Sequence, residues 1–290
     1  MLVIRYEVRG QTFVGVRTDD GAVHRAAVAS LSELLNGDFR GMVEQAAAGP
    51  AETDQVRLLA PVDGRTEVWA AGVTYQRSSE ARQEESEVAD VYARVYGADR
   101  PELFFKSVAW RVAGDGEPIG IRDDSPVDVP EPELAVVVAA DGTIVGYTVC
   151  DDVSSRTIEG ENPLYLPQAK IYAGSCALGP GIRPAWEVPS PYELTISASV
   201  RRGPDEVWSA STSTKLLHRR LDDLVSYLFR QYDLPDGAIL STGTGIVPSL
   251  DFTLTAGDSV AITVSEVGTL TNPVVDATSL LSTGNRRNTP

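Results

Sequence analysis

The chain has 290 residues, 42% hydrophobic and 23% charged, enough for one large globular domain or a large domain with a small one. Its net charge of −16 argues against nucleic acid or an anionic membrane as a partner. It does not argue against an anionic substrate, because a metal and local lysines reverse the field at one site. No run approaches the ~18 apolar residues of a membrane span, and no signal peptide opens the chain. The two cysteines, Cys150 and Cys176, sit in apolar settings and read as buried reduced thiols, so a cytoplasmic protein is expected.

Residues 1–62 read as a small N-terminal α+β domain. Leu2 to Val8 and Thr12 to Arg17 alternate as strands around a turn at Gly10, and Ala22 to Ala27 follows as a third. A helix opens at Ser30 with a serine cap, and a second runs through Met42 to Ala48. His24 is read as a surface residue of its strand.

Residues 63–290 form the larger unit. A strand at Val68 to Gly72 leads through Val73-Thr74-Tyr75 into a long charged helix from about Ser78 to Tyr96. Ser78, at its N-terminus, follows a strand end and is placed to face a site. Leu103 to Lys106 is a short buried strand; Lys106 either snorkels or meets an anionic ligand. Residues 111–130 read as turns and short strands.

The centre of the chain is a hairpin. Pro130 to Val138 and Ile144 to Asp152 are apolar strands joined by a turn at Asp141-Gly142. Glu131 and Glu133 share a face because side chains alternate along a strand. Asp152 ends the returning strand and arrives beside them. Carboxylates crowded on an apolar sheet repel and are costly to desolvate, and a divalent cation is the simplest compensation. Oxygen ligands alone point to Mg²⁺, Mn²⁺ or Ca²⁺ rather than zinc.

The segment from Ser154 to Lys170 shows no sustained period and reads as a functional loop. Gly174 to Gly181 reads as turn-rich. Strands are expected at Tyr192 to Val200, Glu206 to Thr212, Ala238 to Ser241 and Ser259 to Val264, a helix over Leu216 to Tyr232, and a frayed tail after Thr283. His218 is read as structural or solvent-facing. The small-residue turn Thr242-Gly243-Thr244 is either a plain strand end or a carboxylate-binding turn.

Taken in order, Gly72-Val-Thr-Tyr75, Leu103-Phe-Phe-Lys106, Pro130-Glu-Pro-Glu-Leu134, Gly146-Tyr-Thr-Val-Cys-Asp-Asp152, Lys170, Leu178-Gly-Pro180 and Thr242-Gly-Thr244 resemble the fumarylacetoacetate hydrolase superfamily. The resemblance implies a mixed α/β, strand-rich barrel or roll, a homo-oligomer (a dimer or dimer of dimers) and a Mg²⁺-type cation on Glu131, Glu133 and Asp152. It also implies a functional lysine at Lys170. Hydrolases of the superfamily commonly carry a histidine where this chain has Ser78, and Thr74 replaces an asparagine. The stretch from Ile158 to Pro180 resembles the branch containing 2-keto-3-deoxy-D-arabinonate dehydratase. That resemblance implies dehydration of a 2-keto-3-deoxy-pentonate to 2,5-dioxopentanoate in oxidative pentose catabolism. Lys170 is the first candidate for proton transfer and Glu161 the second; Ser78, Lys106 and Thr244 are expected substrate contacts. An acylpyruvate or diketo-acid hydrolase and a non-catalytic metal-binding protein are the alternatives.

Overall fold

The computed structural model describes residues 1–85 and 94–281. Its main sheet runs, in spatial order, through Val23–Arg25, Gln11–Arg17, Leu2–Val8, Cys176–Pro184, Ile144–Asp152, Pro132–Val138, Ala238–Ser241, Glu67–Gly72 and Glu102–Val108, with Arg57–Leu59 pairing alongside Leu2–Val8. A second sheet orders Asp205–Ser213, Thr195–Arg202, Asp258–Val264, Gly268–Asp276 and Ile119–Ile121. This is the expected mixed α/β, strand-rich architecture. Among the described residues no helix is long and apolar enough to cross a membrane.

Every residue of Pro132–Val138 is buried, which is why this segment reads as a continuous apolar run rather than an alternating one. Leu134, Val136 and Val138 pack with Ile196, Val260, Ile262 and Leu270 of the second sheet. Ala135 and Val137 face the other way, into a core with Val3, Val14, Leu34, Phe39 and Val43. Burying each of the larger side chains contributes roughly 1.5–3 kcal/mol, so this strand is held from both sides. Residues 1–62 therefore lend a wall of core to the central hairpin. Ser30 caps the helix Leu31–Asn36 by accepting from Glu33 N–H, and Asp38 caps Phe39–Ala47 in the same way.

Three expectations change. The stretch from Gly174 is not mainly turns: Cys176–Pro184 is a nine-residue, almost wholly buried strand. Its glycines mark close approaches rather than bends. A Cβ on Gly181 would stand 2.7 Å from the Val3 carbonyl oxygen, and one on Gly179 3.1 Å from Leu270. The helix expected over Leu216 to Tyr232 is confined to Leu221–Leu228, preceded by a single 3-10 turn at Thr214–Leu216. The loop after Asp152 holds two short helices, Arg156–Glu161 and Leu166–Lys170. The helix expected from Ser78 is seen as Gln76–Glu85; its continuation over 86–93, and the tail after Thr283, lie outside the described residues.

Candidate active site

The hairpin register assembles the carboxylates. Cys150 pairs with Glu133 across the antiparallel strands, and the Asp152 N–H donates to the Glu131 carbonyl at 3.1 Å. Directly paired residues share a face, so Glu131, Glu133 and Asp152 project together. One oxygen from each lies within 4.8 Å of the others, and all three side chains are buried. Asp151 points to the opposite face, where its Oδ1 accepts from the Glu131 N–H at 3.1 Å. Burial raises the Asp151 carboxyl to about 7.

Burial first, and then the charges of Asp152 and Glu131, push the Glu133 carboxyl well above its ordinary range. A site that raises proton affinity this way favours a cation in the proton's place. The donors fit one. Opposed ligands of an ion with ~2.0–2.6 Å metal–oxygen distances stand about 4–5 Å apart, and adjacent ones closer. The second-layer contacts point the ligand oxygens. Glu133 Oε2 accepts from the Ser241 hydroxyl and from the Gly243 N–H at 2.7 Å. Gly243 needs its lack of a side chain: its φ is +90°, and a Cβ would run into Thr74 Oγ1 and stand 2.9 Å from the Ala71 carbonyl. Thr74 in turn donates to the Thr242 carbonyl at 2.7 Å, stapling the two turns together.

Two buried lysines meet this cluster from different sides. Lys170, at the end of its short helix, donates to Glu131 Oε2 at 2.7 Å, Asp152 Oδ2 at 3.1 Å and Ser154 Oγ at 2.6 Å. It also lies 3.9 Å from Glu159 Oε1 and 5.6 Å from the Phe104 ring centre. Lys106 is wholly buried. Its ammonium pairs with Asp152 and donates to the carbonyls of Val153 at 3.1 Å and Lys170 at 2.6 Å.

A cleft opens on the triad, lined also by Ala71, Gly72, Val73, Ser78, Glu102, Phe104, Glu159, Lys170, Gly243 and Thr244. Of the residues expected there, Ser78, Lys170 and Thr244 are present with the three carboxylates. The Ser78 hydroxyl donates to the Tyr75 carbonyl at 2.8 Å. Thr244 donates to the Pro132 carbonyl at 3.0 Å. Two expected residues are not among those that line the cleft. Lys106 is one: it is wholly buried and does not snorkel, and its ammonium braces Asp152 and the carbonyls of Val153 and Lys170. Glu161 is exposed and faces away, whereas Glu159 is buried on the cleft wall. Residues two apart on a helix stand about 200° around its axis, so only one of them can turn inward. Glu102 was missed altogether. Its signal was its place two residues before Phe104 on one strand face.

Both histidines lie elsewhere. His24 Nδ1 sits 2.9 Å from the Gly49 carbonyl oxygen, and His218 stacks on Tyr96 with ring centres 4.3 Å apart.

Residues 67–275 match the family described as fumarylacetoacetate (FAA) hydrolase C-terminal. The chain belongs to the fumarylacetoacetate hydrolase family. Within that family it is 50% identical over 214 residues, 74% of this chain and 73% of the relative, to a probable 2-keto-3-deoxyxylonate dehydratase of Haloferax volcanii. It is 43% identical over 246 residues to the 2-dehydro-3-deoxy-D-arabinonate dehydratase of Saccharolobus solfataricus, covering 83% of this chain and 82% of that one. Among solved family structures, 2-keto-3-deoxy-D-arabinonate dehydratase complexed with magnesium and 2,5-dioxopentanoate superposes with a TM-score of 0.84 at 37% identity. That match covers 95% of this chain and 99% of the other.

Proposed function

We propose that this protein is a magnesium-dependent hydro-lyase that converts a 2-keto-3-deoxy-pentonate, of the 2-dehydro-3-deoxy-D-arabinonate type, to 2,5-dioxopentanoate and water. The observation that carries the reading is the make-up of the cleft. A buried all-carboxylate triad stands beside a lysine and two further carboxylates, Glu102 and Glu159, and among the described residues no histidine lines it. The dehydratase relatives at 43% and 50% identity support the same substrate class.

Held by Glu131, Glu133 and Asp152, a divalent cation supplies Lewis acidity toward the 2-keto acid end of the substrate; Mn²⁺ and Ca²⁺ suit the same oxygens. Glu133 is fixed for that task by Ser241 and the Gly243 N–H. Lys170 is the first candidate to take the C3 proton, since it is buried at the edge of the triad and lines the cleft. Glu159, beside Lys170, takes the role first expected of Glu161: it protonates the C4 hydroxyl as it departs. Loss of the C3 proton and the C4 hydroxyl leaves a C3–C4 double bond. Moving a proton from C5 to C3 gives the C4–C5 enol, and passing the proton of the C5 hydroxyl to C4 then gives the C5 aldehyde, so that water is the only other product. Ser78 and Thr244 contact the substrate from the two turns that flank the triad, and the aromatic wall of Phe104 limits water access.

The reading places the protein in oxidative pentose catabolism, in the cytoplasm and as a homo-oligomer. It treats residues 63–290 as the catalytic unit and residues 1–62 as a smaller unit packed against it; the start of the family match at Glu67 supports that division. The test is direct. The protein is incubated with Mg²⁺ and 2-keto-3-deoxyarabinonate, with an acylpyruvate run in parallel, and 2,5-dioxopentanoate is quantified. Cleavage of the acylpyruvate alone would overturn the dehydratase reading, and turnover of neither would favour a metal-binding protein without catalysis.

A further inference from the structure

Gly72 ends the strand Glu67–Gly72 and pairs directly with Glu102, the first residue of the neighbouring antiparallel strand. Its backbone lies outside the left-handed region, so the chain path there does not require glycine. What requires it is room. A Cβ on Gly72 would run into Glu102 Oε2, stand 2.6 Å from its Cδ and 3.3 Å from its Cγ. The nearest atoms it would meet all belong to that one side chain. Across an antiparallel pair the two side chains share a face, so the Glu102 carboxylate lies folded over the Gly72 Cα. Both residues line the cleft.

We propose that Gly72 is a positioning residue, whose missing side chain is the seat that holds the Glu102 carboxylate against the reacting part of the substrate. The inference rests on the dehydratase reading for its kinetic consequence, but not for its geometry. With the seat filled, the Glu102 side chain swings to another rotamer, because the group that must yield is the far end of a flexible side chain. The three atoms nearest the added methyl belong to Glu102 and not to the triad or Lys170. Displacing a reacting group by about 1 Å costs on the order of 100-fold in rate, so Gly72→Ala acts on turnover and spares the fold.

Turnover of 2-keto-3-deoxyarabinonate, calorimetric magnesium affinity and the thermal midpoint are measured for wild type, Gly72→Ala, Glu102→Gln and the double variant. The expected result is a fall in kcat of about 100-fold for Gly72→Ala, with magnesium affinity and midpoint near wild type. In the Glu102→Gln background the same change should cost less than about twofold, because it acts only through Glu102. Wild-type kcat in Gly72→Ala, or an equal loss in both backgrounds, would overturn the proposal. Should wild type show no turnover, the dehydratase reading falls. The seat is then judged by a crystal structure of Gly72→Ala, in which a Glu102 carboxylate still over residue 72 would refute it.

Discussion

Replacing Lys106 by Met distinguishes a brace from a substrate contact. The side chain is wholly buried, and its ammonium serves three acceptors at once: Asp152, the Val153 carbonyl and the Lys170 carbonyl. Methionine keeps most of the stem's packing volume and removes only the charge and the donors. Removing one partner of a buried ion pair typically costs roughly 3–5 kcal/mol, because the remaining charge stays buried without compensation. Each abandoned carbonyl adds to the cost, while the remaining Lys170 bond to Asp152, at 3.1 Å, moderates it. A loss of about 3–5 kcal/mol is therefore expected, a large part of the ~5–15 kcal/mol of a typical domain. Urea unfolding at neutral pH measures it, without and with magnesium. Bound cation stands in for part of the lost charge, so the deficit should narrow when magnesium is present. A residue that only contacts substrate would instead raise KM and leave the unfolding curve alone. A stability loss below ~1 kcal/mol, together with a raised KM, would refute the brace.

Three further outcomes are expected. Because Glu133 holds its proton well above the ordinary carboxylate range, magnesium binding should release a proton and strengthen as pH rises; calorimetric heats that do not depend on the buffer's ionisation enthalpy would contradict this. Glu159→Gln should lower kcat by about 100-fold or more, whereas Glu161→Gln should stay within about twofold, and the reverse order would restore the residue first expected. Burial raises the Asp128 carboxyl to about 7, against ~3.9 unfolded, so its stabilising contribution is full below about pH 4 and is lost as pH rises through about 7. Asp128→Asn lacks that loss and should gain on wild type between pH 5 and 7.5, as measured by denaturant unfolding; a gap independent of pH would remove the assignment.

The parts of this molecule legible in sequence are those governed by short-range rules. The central strands announce themselves as apolar runs, and two-residue alternation puts Glu131 and Glu133 on one face. Hairpin connectivity then delivers Asp152, so the triad follows from local pattern alone. What escaped depends on neighbours far away in the chain. Gly179, Pro180 and Gly181 look like a turn until Val3 and Leu270 are seen pressed against them. Lys106 looks like a ligand group until the carbonyls of Val153 and Lys170, 47 and 64 residues on, close around its ammonium. Glu159 and Glu161 are indistinguishable until the segment is known to be helical, which sequence did not show because the helix is only one and a half turns long.

The position of Ser78 shows how one metal platform separates two chemistries. The resembled hydrolases commonly carry a histidine at this place, which serves with a glutamate to activate water, and a serine has no comparable basicity. Here the Ser78 hydroxyl donates to the Tyr75 carbonyl and accepts from the Tyr75 N–H at 3.3 Å, closing the first turn of Gln76–Glu85. On the proposed reading, the groups left to move protons are Lys170, Glu159 and Glu102, all of which line the cleft with the triad. On that reading, a cleft that enolises a 2-keto acid and has no histidine in its wall among the described residues favours expulsion of the substrate's own hydroxyl over attack by an external one. The direction of the chemistry is thus set less by the carboxylates, which both reactions need, than by what the strand-to-helix turn at Gly72–Ser78 brings to face them.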